Sequence, residues 1–287
     1  MALRFLVVEG NTRQPREKHK AAYGTTPSEG YAAVLRQIAP DAVCDIALPA
    51  DEGFNLPDPS GLESYDGVVL TGSSLNIYDG TPEILRQIEL MRAVYASGTP
   101  CFGSCWGIQV ASVAAGGDVQ ANPRGLEAGF ARDIAPTEAG RAHPLLAGRP
   151  AAFAAPAVHT DAVVAPAPGT TILAGNALAP VQAAEIRHGG GVFWGVQYHP
   201  EFDLRELAII LARLAGALVE AGHCTTPADA KSYADDLLAL HAQPSRRDLA
   251  WRLGLDAQVL DPVLRTTEIR NFVESRVRPD KSARGRA

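Results

Sequence analysis

The spacing of apolar residues predicts strands and helices that alternate along most of the chain. Apolar runs at 4–9, 44–48 and 65–70 are typical of buried strands, and positions 29–38 and 82–97 repeat apolar residues at helical spacing. Strands that alternate with helices pair in parallel and place functional residues at the carboxyl ends of the strands. The pattern therefore predicts an α/β fold with a central, mostly parallel sheet flanked by helices.

Other stretches depart from this alternation. Residues 10–28 are polar and are predicted to form a surface loop, either mobile beside a substrate mouth or simply solvated. An apolar-striped helix at 204–221 ends the main domain, and the alternation of strands and helices then gives way to short predicted helices. The predicted organisation is a main domain at 1–222, a helical extension at 223–277 and a disordered basic tail at 278–287.

One cysteine stands where an apolar strand gives way to a helix. Cys105 lies between Gly103 and Gly107, the strand ends at Phe102, and the helix runs over 106–115. Glycine neighbours permit the sharp bend that exposes a nucleophile at such a turn. The N-terminus of the following helix lowers the pKa of a thiol by its partial positive charge. The pattern indicates a nucleophile elbow, whereas an isolated cysteine would more often be a small buried apolar residue.

A second segment supplies partners for this thiol. Residues 192–198 form a buried-strand run that delivers His199 and Glu201 at its carboxyl end, with Pro200 between them. In extended backbone, residues i and i+2 point the same way, so the carboxylate can orient the imidazole. The order Cys105, His199, Glu201 follows the nucleophile, base and orienter arrangement of covalent catalysis.

These two segments carry a family resemblance. Gly-Ser-Cys-Trp-Gly-Ile-Gln at 103–109 and Gly-Val-Gln-Tyr-His-Pro-Glu-Phe at 195–202 resemble the class I, or triad, glutamine amidotransferases, above all the amidotransferase domain of GMP synthase and its free-standing relatives. The resemblance covers roughly residues 3–220. It implies a flavodoxin-like α/β fold and hydrolysis of the glutamine side-chain amide to glutamate and ammonia through a cysteinyl thioester. That chemistry needs no metal and no cofactor.

The loop after the third strand is the candidate oxyanion site. Amide hydrolysis passes through a tetrahedral oxyanion that needs preorganised donors. The backbone N–H groups of Gly72 and Ser73 are candidates, and the N–H of Trp106 would complete the hole. The loop resembles the oxyanion strand of the family, in which proline commonly follows Gly-Gly or Gly-Ser. Ser74 stands at that position here.

Further residues are candidates for substrate binding. Gln109 lies one helical turn after the cysteine and can face the same pocket. By resemblance it would hydrogen-bond glutamine, and the segment of Glu127 and Gly129 would hold the α-amino and α-carboxylate groups through its backbone. His159 lies in a His-x-Asp loop that in the family borders the site. The other histidines, His19 among them, have no spacing that indicates a role.

Composition narrows the class of protein. The net charge of −6 argues against a nucleic-acid or anionic-membrane partner. The amino-terminal apolar run is too short for a membrane span, and no signal peptide is apparent. The four cysteines have no metal-like spacing with histidine, which indicates free thiols in a reducing cytoplasm.

Several functions remain open on the sequence. The leading hypothesis is a glutaminase that delivers ammonia to a separate synthetase, because the chain lacks the pyrophosphatase loop of a complete GMP synthase. The alternative is a γ-glutamyl amide hydrolase acting on a substituted glutamine. A regulatory subunit with a silent triad is disfavoured by the intact residues. A faint helix-turn-helix pattern at 248–256 lacks a basic recognition face, so a helical cap or a homodimer interface is the preferred interpretation.

Overall fold

A computed structural model describes residues 2–58 and 60–285. The strands are β1 (Arg4–Val8), β2 (Val43–Ala47), β3 (Gly67–Leu70), β4 (Cys101–Ser104), β5 (Asp118–Ala121), β6 (Glu127–Pro136), β7 (Phe153–His159), β8 (Asp161–Ala165), β9 (Thr170–Gly175), β10 (Ala183–His188) and β11 (Gly191–Val196). The helices are α1 (Arg13–Tyr23), α2 (Pro27–Ile38), α3 (Pro82–Ser97), α4 (Trp106–Ala114), α5 (Glu138–Ala142), α6 (Leu204–Arg213), α7 (Ala215–Glu220), α8 (Pro227–Ala242), α9 (Arg247–Leu253), α10 (Ala257–Leu260), α11 (Pro262–Arg265), α12 (Thr267–Phe272) and α13 (Arg278–Ala283).

A nine-stranded sheet runs through the molecule in the order β2-β1-β3-β4-β11-β10-β9-β6-β7. The pairs from β2 to β11 are parallel, and the pairs from β11 to β7 are antiparallel. The predicted α/β class is confirmed, and the sheet is mixed. The antiparallel half follows from short connections, such as the β10–β11 turn at Gly189 and Gly190, whose positive φ values suit a tight hairpin.

Helices cover both faces of the parallel half. One face packs Phe5 and Phe102 against α2 and against Phe272 near the carboxyl terminus. The opposite face packs Leu6 and Val68 against α3 and α4. A third apolar cluster joins α6 to α8 and α9. The C-terminal extension thus contributes side chains to the core of the sheet. No helix in the described ranges is both long and apolar enough to cross a membrane.

The prediction of a loop over residues 10–28 is wrong. Helix α1 occupies Arg13–Tyr23 and ends at Gly24, whose φ of 111° is left-handed. The buried face of this helix consists of Arg16 and His19 rather than apolar residues. Arg16 pairs with Asp51 at 2.8 Å. A helix whose buried face is polar has no apolar stripe, and hydrophobic periodicity therefore misses it.

The prediction of a disordered tail over 278–287 is also wrong for the part that the structure describes. Helix α13 covers Arg278–Ala283, and its Lys281 is buried. The Lys281 ammonium contacts the Asp66 carboxylate at 2.9 Å and the backbone oxygen of Ala2 at 2.6 Å. A buried ion pair to the start of β3 holds this basic segment in place. Residues 286–287 lie outside the described residues.

Candidate active site

Cys105 adopts a strained backbone conformation between β4 and α4. Its φ of 52° and ψ of −99° are unusual for a residue with a side chain. A Cβ built on Gly103 would lie 2.8 Å from Cα of Gly107, so the bend requires glycine before and after the cysteine. The backbone N–H of Cys105 donates to Val196 of β11 at 2.8 Å. The predicted elbow geometry is confirmed, and it lies at the carboxyl end of a central parallel strand.

His199 and Glu201 follow the neighbouring strand β11 and face this elbow. The Nδ1 atom of His199 lies 2.7 Å from Oε1 of Glu201, and both side chains are buried. The imidazole ring stacks on Phe202 with ring centroids 3.9 Å apart. The backbone N–H of His199 donates to the carbonyl of Pro156 at 2.7 Å. Strand pairing of β4 with β11 therefore brings Cys105 to a histidine and a glutamate that lie more than ninety residues further along the chain.

The electrostatics of the site favour a protonated imidazole. Burial opposes the charged form of His199, but the Glu201 carboxylate and the Cys105 sulfur, which also hydrogen-bond the ring, outweigh it and raise the pKa of His199 to about 10. His199 is therefore an imidazolium at neutral pH and can donate a proton to a leaving nitrogen.

The loop after β3 passes directly beneath this imidazole. A Cβ built on Gly72 would lie 2.6 Å from Cε1 of His199, so the loop backbone contacts the ring. A Cβ on Gly10 would lie 2.8 Å from the carbonyl oxygen of Gly72 and 2.8 Å from Cδ1 of Trp106. Gly10 thus packs against the backbone of Gly72 and against the side chains of Ser73 and Trp106, the three residues of the predicted oxyanion site.

Polar side chains that sequence reasoning missed hold this loop. Asn11 accepts a hydrogen bond from the backbone N–H of Ser74 at 3.1 Å. Gln87 of α3 donates to the carbonyl of Gly10 at 3.1 Å and accepts from the Trp106 indole at 2.8 Å. These contacts hold the loop in place, although Ser74 stands where the family resemblance led us to expect proline. Neither side chain stands in a motif, although the apolar setting of Gln87 on α3 marks it as a buried polar group needing partners.

Of the four predicted substrate-binding residues, two line the cavity and two do not. Gln109 and His159 line the same cavity as Cys105. Glu127 points inward and accepts from His159 at 2.8 Å, with Asn176 and Gln182 at 2.6 Å each. Burial alone would raise the pKa of Glu127, but these hydrogen bonds lower it. Glu127 therefore orients His159 from behind.

Gly129 lies apart from the cavity. Its φ of 86° is left-handed, and a Cβ there would lie 3.0 Å from the hydroxyl of Tyr233 on α8. The cavity wall at this point is formed by Leu126 instead. Neither Glu127 nor Gly129 is among the residues that line the cavity, since the Glu127 side chain binds His159 from behind and Gly129 packs against Tyr233.

One cavity of about 990 Å³ is lined by Cys105, His199 and Glu201. Its lining includes Gln109 of α4, His159 and Asp161 near the ends of β7 and β8, and residues of α1, α2 and α6. Pockets for drug-sized ligands span roughly 300–1,000 Å³. The cavity is therefore larger than glutamine alone requires, and Cys105 lies within it.

Comparison with known proteins agrees with this geometry. The class-I glutamine amidotransferase family model matches residues 46–213, a span that includes Cys105, His199 and Glu201. A glutamine amidotransferase from Thermotoga maritima superposes with a TM-score of 0.64 over 96% of this chain and 99% of its own, at 18% identity, which shows the shared fold. The chain therefore belongs to the class-I glutamine amidotransferase family, whose chemistry is the hydrolysis of an amide.

Two relatives differ in how much they share with this chain. A γ-glutamyl-L-1-hydroxyisopropylamide hydrolase from Pseudomonas sp. is 36% identical over 282 residues, covering 96% of this chain and 94% of its own. A glutamine-hydrolysing GMP synthase from Thermomicrobium roseum is 28% identical over 199 residues, covering 69% of this chain. This chain matches only 33% of that synthase. Of these two relatives, the one that matches nearly the whole chain is thus a hydrolase of a substituted amide.

Proposed function

We propose that this protein hydrolyses γ-glutamyl amides, meaning glutamine substituted on its side-chain nitrogen, to glutamate and a free amine. The observation that carries the proposal is the strained Cys105 beside the buried His199–Glu201 pair within a cavity larger than glutamine needs. Similarity along 96% of the chain to the Pseudomonas amide hydrolase favours a substituted amide as substrate.

In the proposed reaction, the Cys105 thiolate attacks the carbonyl carbon of the amide. The charge that develops on the carbonyl oxygen is held by the backbone N–H groups of Gly72, Ser73 and Trp106. The His199 imidazolium protonates the amide nitrogen as the carbon–nitrogen bond breaks, and the amine leaves from a glutamyl thioester. Neutral His199 then takes a proton from water, which attacks the thioester. Glutamate leaves, and the thiolate and imidazolium are restored.

Three further residues have supporting roles in this proposal. Glu201 holds Nδ1 of His199 at 2.7 Å, which directs Nε2 toward the reacting atoms. Gln109 and His159 line the cavity together with Cys105, and we propose that the glutamyl part binds against them. No step requires a metal or a cofactor.

A second candidate is hydrolysis of glutamine itself, with ammonia passed to a separate synthetase. The similarity to the amidotransferase part of GMP synthase favours it. The two candidates share every chemical step and differ only in the leaving group. The cytoplasm is the proposed location, since the thiols of all four cysteines are free.

The deciding experiment compares glutamate release from γ-glutamyl ethylamide and from glutamine by the purified chain. We expect the amide to be hydrolysed with the higher kcat/KM, and the Cys105→Ala variant to lose this activity. Cys44→Ala, on the edge strand β2, is the matched control and should retain it. Turnover of glutamine alone would favour the second candidate. Amide hydrolysis that persists in Cys105→Ala would refute the assigned nucleophile.

A further inference from the structure

The C-terminal extension supplies a buried carboxylate to the segment that carries His199. The match to the family model ends at residue 213, and Glu268 of α12 lies well beyond that end. Its carboxylate accepts a hydrogen bond from the Tyr198 hydroxyl at 2.8 Å. Tyr198 directly precedes His199, and Tyr198 and Glu268 are both fully buried. The extension therefore reaches the residue next to the predicted acid and base.

Arg149 fixes the position of the Glu268 carboxylate. Its guanidinium donates to the two carboxylate oxygens through Nε and Nη2, at 2.7 Å each, in the forked geometry of a strong ion pair. The same guanidinium donates to Gln258 at 2.8 Å and lies 4.5 Å from the ring centroid of Phe153. The side chains of Arg149 and Glu268 are 1% and 0% exposed. The acceptor of the Tyr198 hydroxyl is thus held by protein groups on several sides.

His199 itself stands beyond the part of the chain that the sheet holds. Strand β11 ends at Val196, and Pro200 has no backbone N–H to donate. The backbone N–H of His199 donates to the carbonyl of Pro156 on β7 at 2.7 Å. The Tyr198 hydroxyl adds a second anchor at the neighbouring residue. Two contacts outside the strand ladder therefore hold the backbone from which the imidazole extends.

The same helix packs behind the two strands that lead to the active site. Phe272 follows Glu268 by one helical turn on α12, and residues four apart on a helix share a face. Its ring centroid lies 5.5 Å from that of Phe102 on β4 and 6.3 Å from that of Trp194 on β11. Helix α12 therefore contacts both strands whose carboxyl ends form the site.

We propose that Glu268 is a positioning residue of the active site, which holds Tyr198 and through it keeps the His199 imidazole within reach of Cys105. The proposal rests on the thiol and imidazole chemistry of the proposed function, but not on which amine leaves. Proton transfer requires donor and acceptor within about 2.6–3.2 Å, so a small shift of the ring slows the reaction. Glu268 is not among the residues that line the cavity, and it acts through Tyr198.

The first test is Tyr198→Phe, which removes one hydroxyl and leaves the Arg149–Glu268 pair intact. We expect kcat for glutamate release to fall by about 10-fold, less than the effect of a full 1 Å displacement, with little change in KM. Tyr95→Phe is the matched control, because Tyr95 is also buried and its hydroxyl donates to the carbonyl of Ala111 at 3.1 Å. Tyr95 does not line the cavity, and its variant should keep the wild-type kcat. Equal kcat in the two variants would overturn the proposal.

The pH profile separates positioning from a loss of stability. Burial lowers the pKa of His199, but contacts with Glu201 and Cys105 outweigh burial and raise that pKa to about 10. A ring moved away from these partners loses part of this effect. The basic limb of kcat/KM should therefore move to lower pH in Tyr198→Phe and stay in place in Tyr95→Phe. A variant that is merely less stable loses active molecules without moving the limb, so an unmoved limb in Tyr198→Phe would contradict positioning.

Two substitutions of Glu268 test the carboxylate itself. Glu268→Gln and Glu268→Met both remove the charge that pairs with Arg149, but only glutamine keeps an oxygen that can accept from Tyr198. Melting temperatures should fall similarly in both, whereas kcat per folded molecule should recover in Glu268→Gln alone. Equal kcat in the two would show that Glu268 has no positioning role. If neither folds, Tyr198→Phe decides the question, since it spares the ion pair.

Alkylation of Cys105 tests the same coupling without a substrate. The thiolate is the reactive form of cysteine, and a neighbouring imidazolium stabilises it. We expect iodoacetamide to modify Cys105 more slowly in Tyr198→Phe than in Tyr95→Phe, as measured by mass spectrometry of the Cys105 peptide. Equal rates would count against the proposal. If the wild type releases glutamate from neither γ-glutamyl ethylamide nor glutamine, the proposed function fails, and the alkylation rates still decide whether Tyr198 positions His199.

Discussion

Gly72 and His199 are in direct contact, with the position of a Gly72 Cβ only 2.6 Å from Cε1 of the imidazole. Real Cβ atoms do not approach a neighbour this closely, so any side chain at residue 72 must displace the ring or the loop. The contact couples the predicted oxyanion donors to the predicted acid and base. A shift of one therefore misplaces the other.

The Gly72→Ala variant should lose activity without losing its fold. Because the methyl group displaces His199 from Cys105, we expect kcat to fall by about 100-fold, the cost of a displacement of about 1 Å in an active site. Glutamate release under saturating substrate measures it. Gly216→Ala is the matched control, since residue 216 lies in α7 and its Cβ position has no atom within 4 Å beyond its own stretch of helix. Equal activity in the two variants would contradict the contact.

The pH profile should report the ionisation of His199. Its pKa is raised to about 10, so the imidazolium persists from neutral pH to about pH 10, and kcat/KM should fall above that value as the acid is lost. Glu201→Gln removes the negative charge that raises the pKa and should move this basic limb to lower pH. An unmoved limb in Glu201→Gln would show that another group titrates.

The raised pKa of His199 also makes the stability of the fold depend on pH. The folded-state pKa of His199 lies above the unfolded value of about 6.5, so its protonation stabilises the fold. This contribution is complete below about pH 6.5 and is lost as the pH rises through about 10. Glu201→Gln should therefore be destabilised relative to the wild type at pH 6 and less so at pH 10.5, as measured by urea unfolding at the two pH values.

Glu268→Ala should destabilise the fold strongly. Arg149 contacts the Glu268 carboxylate through Nε and Nη2, at 2.7 Å each, and Tyr198 donates to the same carboxylate at 2.8 Å. Removal of one partner from a buried ion pair leaves the other charge uncompensated, at a cost of about 3–5 kcal/mol. Urea unfolding measures this change.

The control for Glu268→Ala is Glu274→Ala. Glu274 pairs with Arg278 on the surface of the same C-terminal segment, with both side chains nearly half exposed. Exposed pairs contribute less than about 1 kcal/mol. A loss for Glu268→Ala no larger than that of the control would refute the role of the buried pair in docking the extension.

Lys281→Met should loosen the last helix. The substitution leaves Asp66, which is 5% exposed, without its counter-charge, and we expect a loss of about 3 kcal/mol in the free energy of unfolding. Lys231→Met removes an ammonium from an exposed i,i+4 pair on α8 and should change little. Comparable melting temperatures of the two variants would argue that α13 docks independently of its ion pair.

Much of the candidate site could be predicted because its geometry is local. Glycines on either side of Cys105 dictate a sharp bend, and the spacing of His199 and Glu201 in extended backbone dictates a shared face. Neighbouring parallel strands end at the same edge of the sheet, so the two segments were expected to meet. The structure confirms the bend and the 2.7 Å contact between His199 and Glu201. The chemical roles remain predictions.

The amino-acid sequence by itself determined the α/β class, the elbow and the pairing of imidazole with carboxylate, because each depends on hydrophobic periodicity or on residues only a few positions apart. Only the tertiary structure decided that α1 is a helix, that His19 contacts Glu206 of α6 and that Lys281 reaches Asp66. The last two contacts join polar residues as far as 215 positions apart. Buried polar contacts leave no periodic signal, since their stabilisation comes from a partner that chain folding alone brings near.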